Sequence, residues 1–154
     1  MKLGGKKPGI HKKPLVLPRE GEEPIVLWAQ AIANMDEFIK LCPEPLPPLV
    51  VKPGGIKEPN WTEVNYLIAV KQHATRRNDY ILLHSLLATT DLEWETVKLE
   101  EPETWNNWRK ELGDSGFSVF EINRIFGLVL EVNSLNDALL DEAQKSFLAG
   151  MGVK

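Results

Sequence analysis

Residues 43–59, PEPLPPLVVKPGGIKEP, hold six prolines and two glycines. No helix runs through such a stretch, because proline lacks a backbone N–H and its ring clashes with the preceding turn. Pro45, Pro47 and Pro48 lie close enough together to favour an extended path. The segment reads as a connector crossing a surface or lying in a groove, either a passive spacer or a recognition segment. Its PGG at 53–55 lacks the GxxxxGK[ST] spacing of a phosphate loop and reads as a turn.

On the N-terminal side of this connector the chain starts with MKLGGKKPGIHKK, basic, interrupted by glycine and proline, and too poor in apolar residues to order itself. Residues 1–13 are therefore expected to form an extended basic arm. LVL at 15–17 and PIVLWAQAI at 24–32 are rich in branched residues and flank a turn-like REGEE, which predicts a small β hairpin. Asp36 opens a brief helical turn, EFIKL, which Cys42-Pro43 ends.

Beyond the connector the pattern is helical. Asn60 is placed to cap a long helix, with Glu63 three residues on as a capping-box acid. Val64, Leu67, Ile68, Tyr80, Leu83, Leu86 and Leu87 follow helical spacing to about residue 88, while the polar centre KQHATRRND is either exposed or marks a break. DLEWETVKL reads as a loop or short strand. Glu101-Pro102 suits a helix start, Trp105, Trp108 and Leu112 share one face, and Gly113 is the expected C-terminal cap. Ser118 with Glu121 predicts a second start, and Phe120, Ile125, Phe126, Leu128, Val129 and Val132 make that helix apolar on more than one side. A last helix is expected from about Asn136 to Leu148, burying Leu139, Leu140, Ala143 and Phe147 and ended by Gly150. Helices this short are marginal alone in water and must dock on neighbours. The expected fold is mainly α: a small helical bundle spanning residues 14–150 as one domain, with the short N-terminal β hairpin and the arm ahead of it.

Charge and composition narrow the function. The net charge of −4 divides into five lysines and no acid in residues 1–14 against 13 basic and 22 acidic residues in the remainder. An acidic body argues against a broad nucleic-acid footprint. One cysteine, Cys42, permits neither an internal disulfide nor a multi-cysteine metal site, and its apolar neighbours suggest a buried inert thiol. No apolar run approaches the roughly 18–20 residues that span a bilayer, and the N-terminus lacks the apolar core of a secretory signal.

Catalytic patterns are missing too. His11, His73 and His84 belong to no metal-binding motif, and on one helix His73 and His84 would lie about 16 Å apart. Ser115 sits in GDSG, which matches a serine-protease motif in letters only, within an inter-helix turn. The carboxylates of Glu93/Glu95 and Glu100/Glu101/Glu103 lie in charge-dense surroundings suited to a solvated surface rather than to acid–base work. No catalytic residue, metal ligand or cofactor is therefore expected. Trp105 and Trp108 are most simply core. An interface role is the next reading, and a stacking platform for sugar or base the last, since Glu101, Glu103 and Glu111 surround them.

Several stretches together resemble the tail-assembly-chaperone-like proteins of long-tailed bacteriophages: LEWETV, TWNNWRKEL, GFSVFEINRI, the Asn133-Ser134-Leu135 turn, EAQKSFL, and upstream IANMDEFIKLCPEPLPP. The resemblance implies a non-enzymatic, virus-encoded factor in the host cytoplasm. Such a factor holds aggregation-prone tail components, the tape measure or the tail tube, until they polymerise. It carries over no catalytic residues. Trp105, Trp108, Phe117, Phe120 and Phe126 are the expected protein-interaction residues, forming an aromatic hairpin beside a groove, with self-association left open. The first alternative is a structural virion component, a head decoration, connector or tail subunit, that uses the arm for subunit contacts; the second is a small nucleic-acid-associated regulator that uses the basic arm.

Overall fold

Leu15, Leu17, Leu27 and Ala29 alternate with Val16, Val26 and Trp28 in two short stretches, and this period of two sets the first element pair. The computed structural model describes residues 1–151. In it β1 (Lys12–Leu17) pairs antiparallel with β2 (Ile25–Gln30), from Lys12 opposite Gln30 to Leu17 opposite Ile25. Leu17, Leu27 and Ala29 are buried, and Val16, Val26 and Trp28 face water. The hairpin expected from sequence is present. It claims Lys12 and Lys13 from the predicted arm, and Lys13 pairs with Glu131. Residues 1–11 are exposed.

A six-residue helix, α1 (Asp36–Leu41), inserts Phe38 into the core and stops where Cys42 precedes proline. The proline-rich segment is not a plain connector. Leu49–Val51 (β3) pairs antiparallel with Lys57–Pro59 (β4), closed by a turn in which Gly54 and Gly55 hold φ of +91° and +78°. Only glycine adopts such angles freely. The predicted PGG turn is thus the tip of a second hairpin, all of whose strand residues are exposed.

One unbroken helix, α2 (Val64–Ser85), runs through the polar centre and into a 3-10 turn over Leu86–Ala88. Glu63, not Asn60, caps it. The Glu63 carboxylate accepts the N–H groups of Asn65 (3.0 Å) and Tyr66 (2.6 Å), while Asn60 closes a local turn by accepting from Thr62. A carboxylate is favoured at the positive end of a helix. Only the C-terminal part of α2 enters the core, through Tyr80, Ile81, Leu82, Leu83 and Ser85.

The tryptophan segment begins as a 3-10 helix, Pro102–Asn107, and becomes α3 (Trp108–Asp114). The Thr104 hydroxyl bonds to Lys98 and to the Glu101 carbonyl, competing with the ordinary helical ladder. Three residues per 3-10 turn still put Trp105 and Trp108 on one side. The helix ends at Gly116 rather than Gly113. Gly116, at φ +108°, donates to the Gly113 carbonyl, and Phe117 N–H reaches the Leu112 carbonyl, the paired bonds of a Schellman stop.

Ser118 and Glu121 form the predicted capping box of α4 (Val119–Val132), which buries Ile122, Ile125, Leu128, Val129 and Val132. The first hairpin lies along α4 and grips both of its ends, Arg19 on Glu121 (2.7 and 3.2 Å) and Lys13 on Glu131. Asn133 joins three elements: its carbonyl oxygen accepts from Ile32 N–H, and its amide donates to Ser85 Oγ and the Val129 carbonyl, each at 2.8 Å. Ser134, at φ +56°, then turns the chain into α5 (Asp137–Gly150), which starts where expected and is capped by the Asn136 side chain, accepting from Leu139 N–H. No α5 residue is buried. Leu139, Leu140, Ala143 and Phe147 form the predicted stripe, but it is exposed, not buried as expected, and nothing among the described residues covers it. No helix among the described residues is long and apolar enough to cross a membrane.

The shift of the stop from Gly113 to Gly116 has a direct test. Gly116→Ala forces a Cβ into left-handed backbone and is expected to cost about 1–2 kcal/mol. Gly113→Ala lies within a helix, meets open space, and is expected to stabilise by about 0.5–1 kcal/mol. Urea unfolding of the two variants checks the contrast.

Candidate functional site

The five aromatic candidates do not line one groove. Trp105 is 0% exposed, Trp108 is also buried, Phe117 and Phe126 are half-buried, and Phe120 is 76% exposed at the start of α4. Trp105 packs with Phe38 and Tyr80, and its Nε1–H points at the carbonyls of Lys98 (3.1 Å) and Leu99 (3.2 Å). The Arg19 guanidinium covers the ring of Phe117. Core is thus the structural role of the two tryptophans.

Around Trp108 there is a polar-rimmed notch. Trp108 Nε1–H donates to buried Asp79 Oδ1 at 2.8 Å, its ring lies nearly parallel to Phe126, and the Arg109 guanidinium sits 4.6 Å from its centroid. Thr75, Asn78 and Asn106 complete a cavity of about 280 Å³. Burial pushes the Asp79 carboxyl above its ordinary range, against the opposing pull of the Trp108 hydrogen bond and the Arg109 charge. The one hydroxyl in the lining, that of Thr75, donates to the Lys71 carbonyl at 3.1 Å.

The remaining polar groups serve the fold. Glu111 accepts from Thr96 Oγ1 (2.6 Å) and from the N–H groups of Glu95, Thr96 and Val97, which ties the 91–101 loop to α3. Burial would raise this carboxyl, but the Thr96 hydroxyl and the three N–H donors outweigh it and hold it low. Glu93 and Glu95 border the same open cleft of about 490 Å³ with Lys110 and Asp114. Ser115 of GDSG donates to the Glu111 carbonyl at the helix end. Cys42 is buried, and burial raises its thiol pKa.

The histidines stay apart. His11 approaches the Val132 carbonyl, His73 the Cys42 carbonyl, and His84 stacks on Tyr80 at 3.9 Å. His84 Nε2 is buried without a partner, and burial lowers the imidazole pKa although Glu37 pulls it upward. Among the described residues no three His, Cys, Asp or Glu side chains gather as a metal site would require.

What the molecule offers a partner is apolar surface. Leu49, Val50, Val51 and Ile56 are exposed on the second hairpin, beside Leu46 and Trp61. Val64, Leu67 and Ile68 are exposed on α2, and Leu139, Leu140, Phe147 and Leu148 on α5. The period of the sequence marks both helical stripes. Periodicity shows that a face avoids water, not whose surface covers it.

Two carboxyls give opposite pH signatures. Asp79→Asn keeps an acceptor for Trp108 and removes the charge. Because the folded Asp79 pKa is raised, its burden on the fold grows as pH rises from the ordinary aspartate range to the raised value. The variant is therefore expected to melt higher than wild type at neutral pH and to converge with it in acid. Glu111→Gln loses charge-assisted bonds and is expected to cost about 2 kcal/mol at neutral pH. That deficit closes as pH falls through the depressed Glu111 pKa. Thermal melts of both variants from acid to neutral pH check the two signs.

No family model, curated protein or solved structure matches the chain, so its fold and chemistry rest on its own residues.

Proposed function

We propose that this chain is a non-enzymatic assembly protein of a long-tailed bacteriophage, a tail assembly chaperone acting in the host cytoplasm on a tape-measure or tail-tube segment. The observation that supports capture is the second hairpin. A two-stranded hairpin is marginal in water on its own, yet β3–β4 carries Leu49, Val50, Val51 and Ile56 outward with no core beneath it. Leu46 and Pro48 also border a shallow cleft against Tyr66 and Ala69 of α2. An amphipathic segment laid across this platform covers apolar surface on both partners, the helix-in-groove mode of recognition. Five basic residues at the N-terminus and an acidic remainder keep such a holder soluble while its platform is open.

The family resemblance supplies the identity of the partner, and the open platform supplies the means of holding it. The second reading, a structural virion component, draws on the exposed residues 1–11 and the open edges of β3–β4, which suit subunit lacing.

Co-expression with the tape-measure or tail-tube protein tests the proposal. Wild type is expected to keep that protein soluble and to co-purify with it. Leu49→Asp combined with Val51→Asp removes two anchors worth about 1.5–3 kcal/mol each on burial, a loss of affinity on the order of a hundredfold or more. The double variant keeps its melting temperature, because neither side chain is in the core. Unchanged co-purification would overturn the assignment of the platform. Abundant chain in purified mature particles would transfer the protein to the structural reading.

A further inference from the structure

We propose that copies of this chain associate through α5, which seats its apolar stripe on the exposed face of α2 in a second copy. The inference holds under either reading of the function.

Neither surface has a partner among the described residues. A helix as short as α5 is marginal alone in water, and Phe147 and Leu140 are 66% and 46% exposed. On α2, Val64 and Ile68 are 68% and 61% exposed, with Leu67 between them. Each stripe keeps helical spacing, and each is what the other requires: a narrow apolar ridge with polar flanks.

Charge selects the pairing and its direction. Outside its stripe α5 carries Asp137, Asp141 and Glu142 against one base, Lys145. From Val64 to Asn78, α2 carries Lys71, Arg76 and Arg77 and no acid. Its bases follow its apolar stripe in the chain, whereas the acids of α5 precede Phe147. In an antiparallel alignment Phe147 falls over Leu67 and Ile68 while the acidic first half of α5 runs beside the basic stretch Lys71–Arg77 of α2. A parallel alignment separates the charges.

The chain's own α5 reaches this face poorly. Asn133 bonds Ser85 at the far end of α2, and Ser134 and Leu135 are tied back to Glu131 and Leu130. Ile68 lies about 26 Å along α2 from Ser85, whereas Phe147 lies about 15 Å from the start of α5. A second copy has no such tether. Exchanged reciprocally, the contact closes a dimer; passed on in one direction, it closes a ring.

Sedimentation velocity on the full chain gives the test. Wild type is expected to oligomerise with rising concentration, more weakly as salt screens the flanking charges. Phe147→Asp and Ile68→Asp should each be monomeric with unchanged helical circular dichroism and melting, since neither residue belongs to the core. Mixing these two variants is the decisive arm. The Ile68→Asp copy still offers an intact α5, and the Phe147→Asp copy an intact α2 face, so the mixture should re-associate to a dimer. A wild type that is monomeric at every concentration would overturn the proposal. So would an oligomer indifferent to Ile68→Asp, which points to α5 self-pairing or another surface, or a mixture that stays monomeric.

Discussion

The indole of Trp105 has no access to water, and the elements around it are arranged by that fact. Its faces meet Phe38 of α1 and Tyr80 of α2, and its N–H is satisfied by carbonyls of the loop before it. A buried indole needs a partner for its N–H as much as cover for its rings. The loop from Thr90 to Glu101 is therefore bound to the core although it contains little regular structure. Trp108, one 3-10 turn later, repeats the arrangement with Asp79 and Phe126 as partners. Together the two rings fix the last part of α2 to the tryptophan helix.

That anchorage has a cost at Asp79. A carboxyl removed from water favours its neutral form, and the Trp108 hydrogen bond only partly offsets this. Glu111 is the reverse case, a carboxylate held by so many donors that its charged form is preferred. Polar groups in this molecule are spent on geometry. Asn133 joins the hairpin exit to two helices, and Arg19 and Lys13 clamp the ends of α4. Open apolar surface lies on β3–β4, the first turns of α2 and α5, and also on the outer face of the first hairpin and at Val119 and Phe120 beside Glu121.

Local signals were legible wherever the deciding interaction spans a few residues. Ser118 and Glu121 announce their helix because a capping box is closed between residues three apart. The β1–β2 hairpin was readable from alternation around a turn. Asn60 misled because Glu63, with two oxygens and a longer reach, took the donors instead. Gly113 misled because an Ala-like position inside a helix and a left-handed stop both admit glycine, and only backbone angles separate them. LVV at 49–51 was too short to distinguish from a connector until its partner at 57–59 was seen. The five aromatic candidates split into core rings and one exposed ring because side-chain type says nothing about which side of a helix meets the chain's own body.

The sequence alone determined the element types, most of their boundaries, the hydrophobic stripe of each helix and the lack of a familiar catalytic pattern, since these follow from spacing within a turn or two. The tertiary structure decided which stripes close on each other. Ile125 and Val129 are enclosed in the core, whereas Ile68 and Phe147, equally periodic, stay exposed among the described residues. The physical reason is that water exclusion is non-directional: a stripe specifies that it should be covered, and only the path of the backbone in three dimensions determines by what.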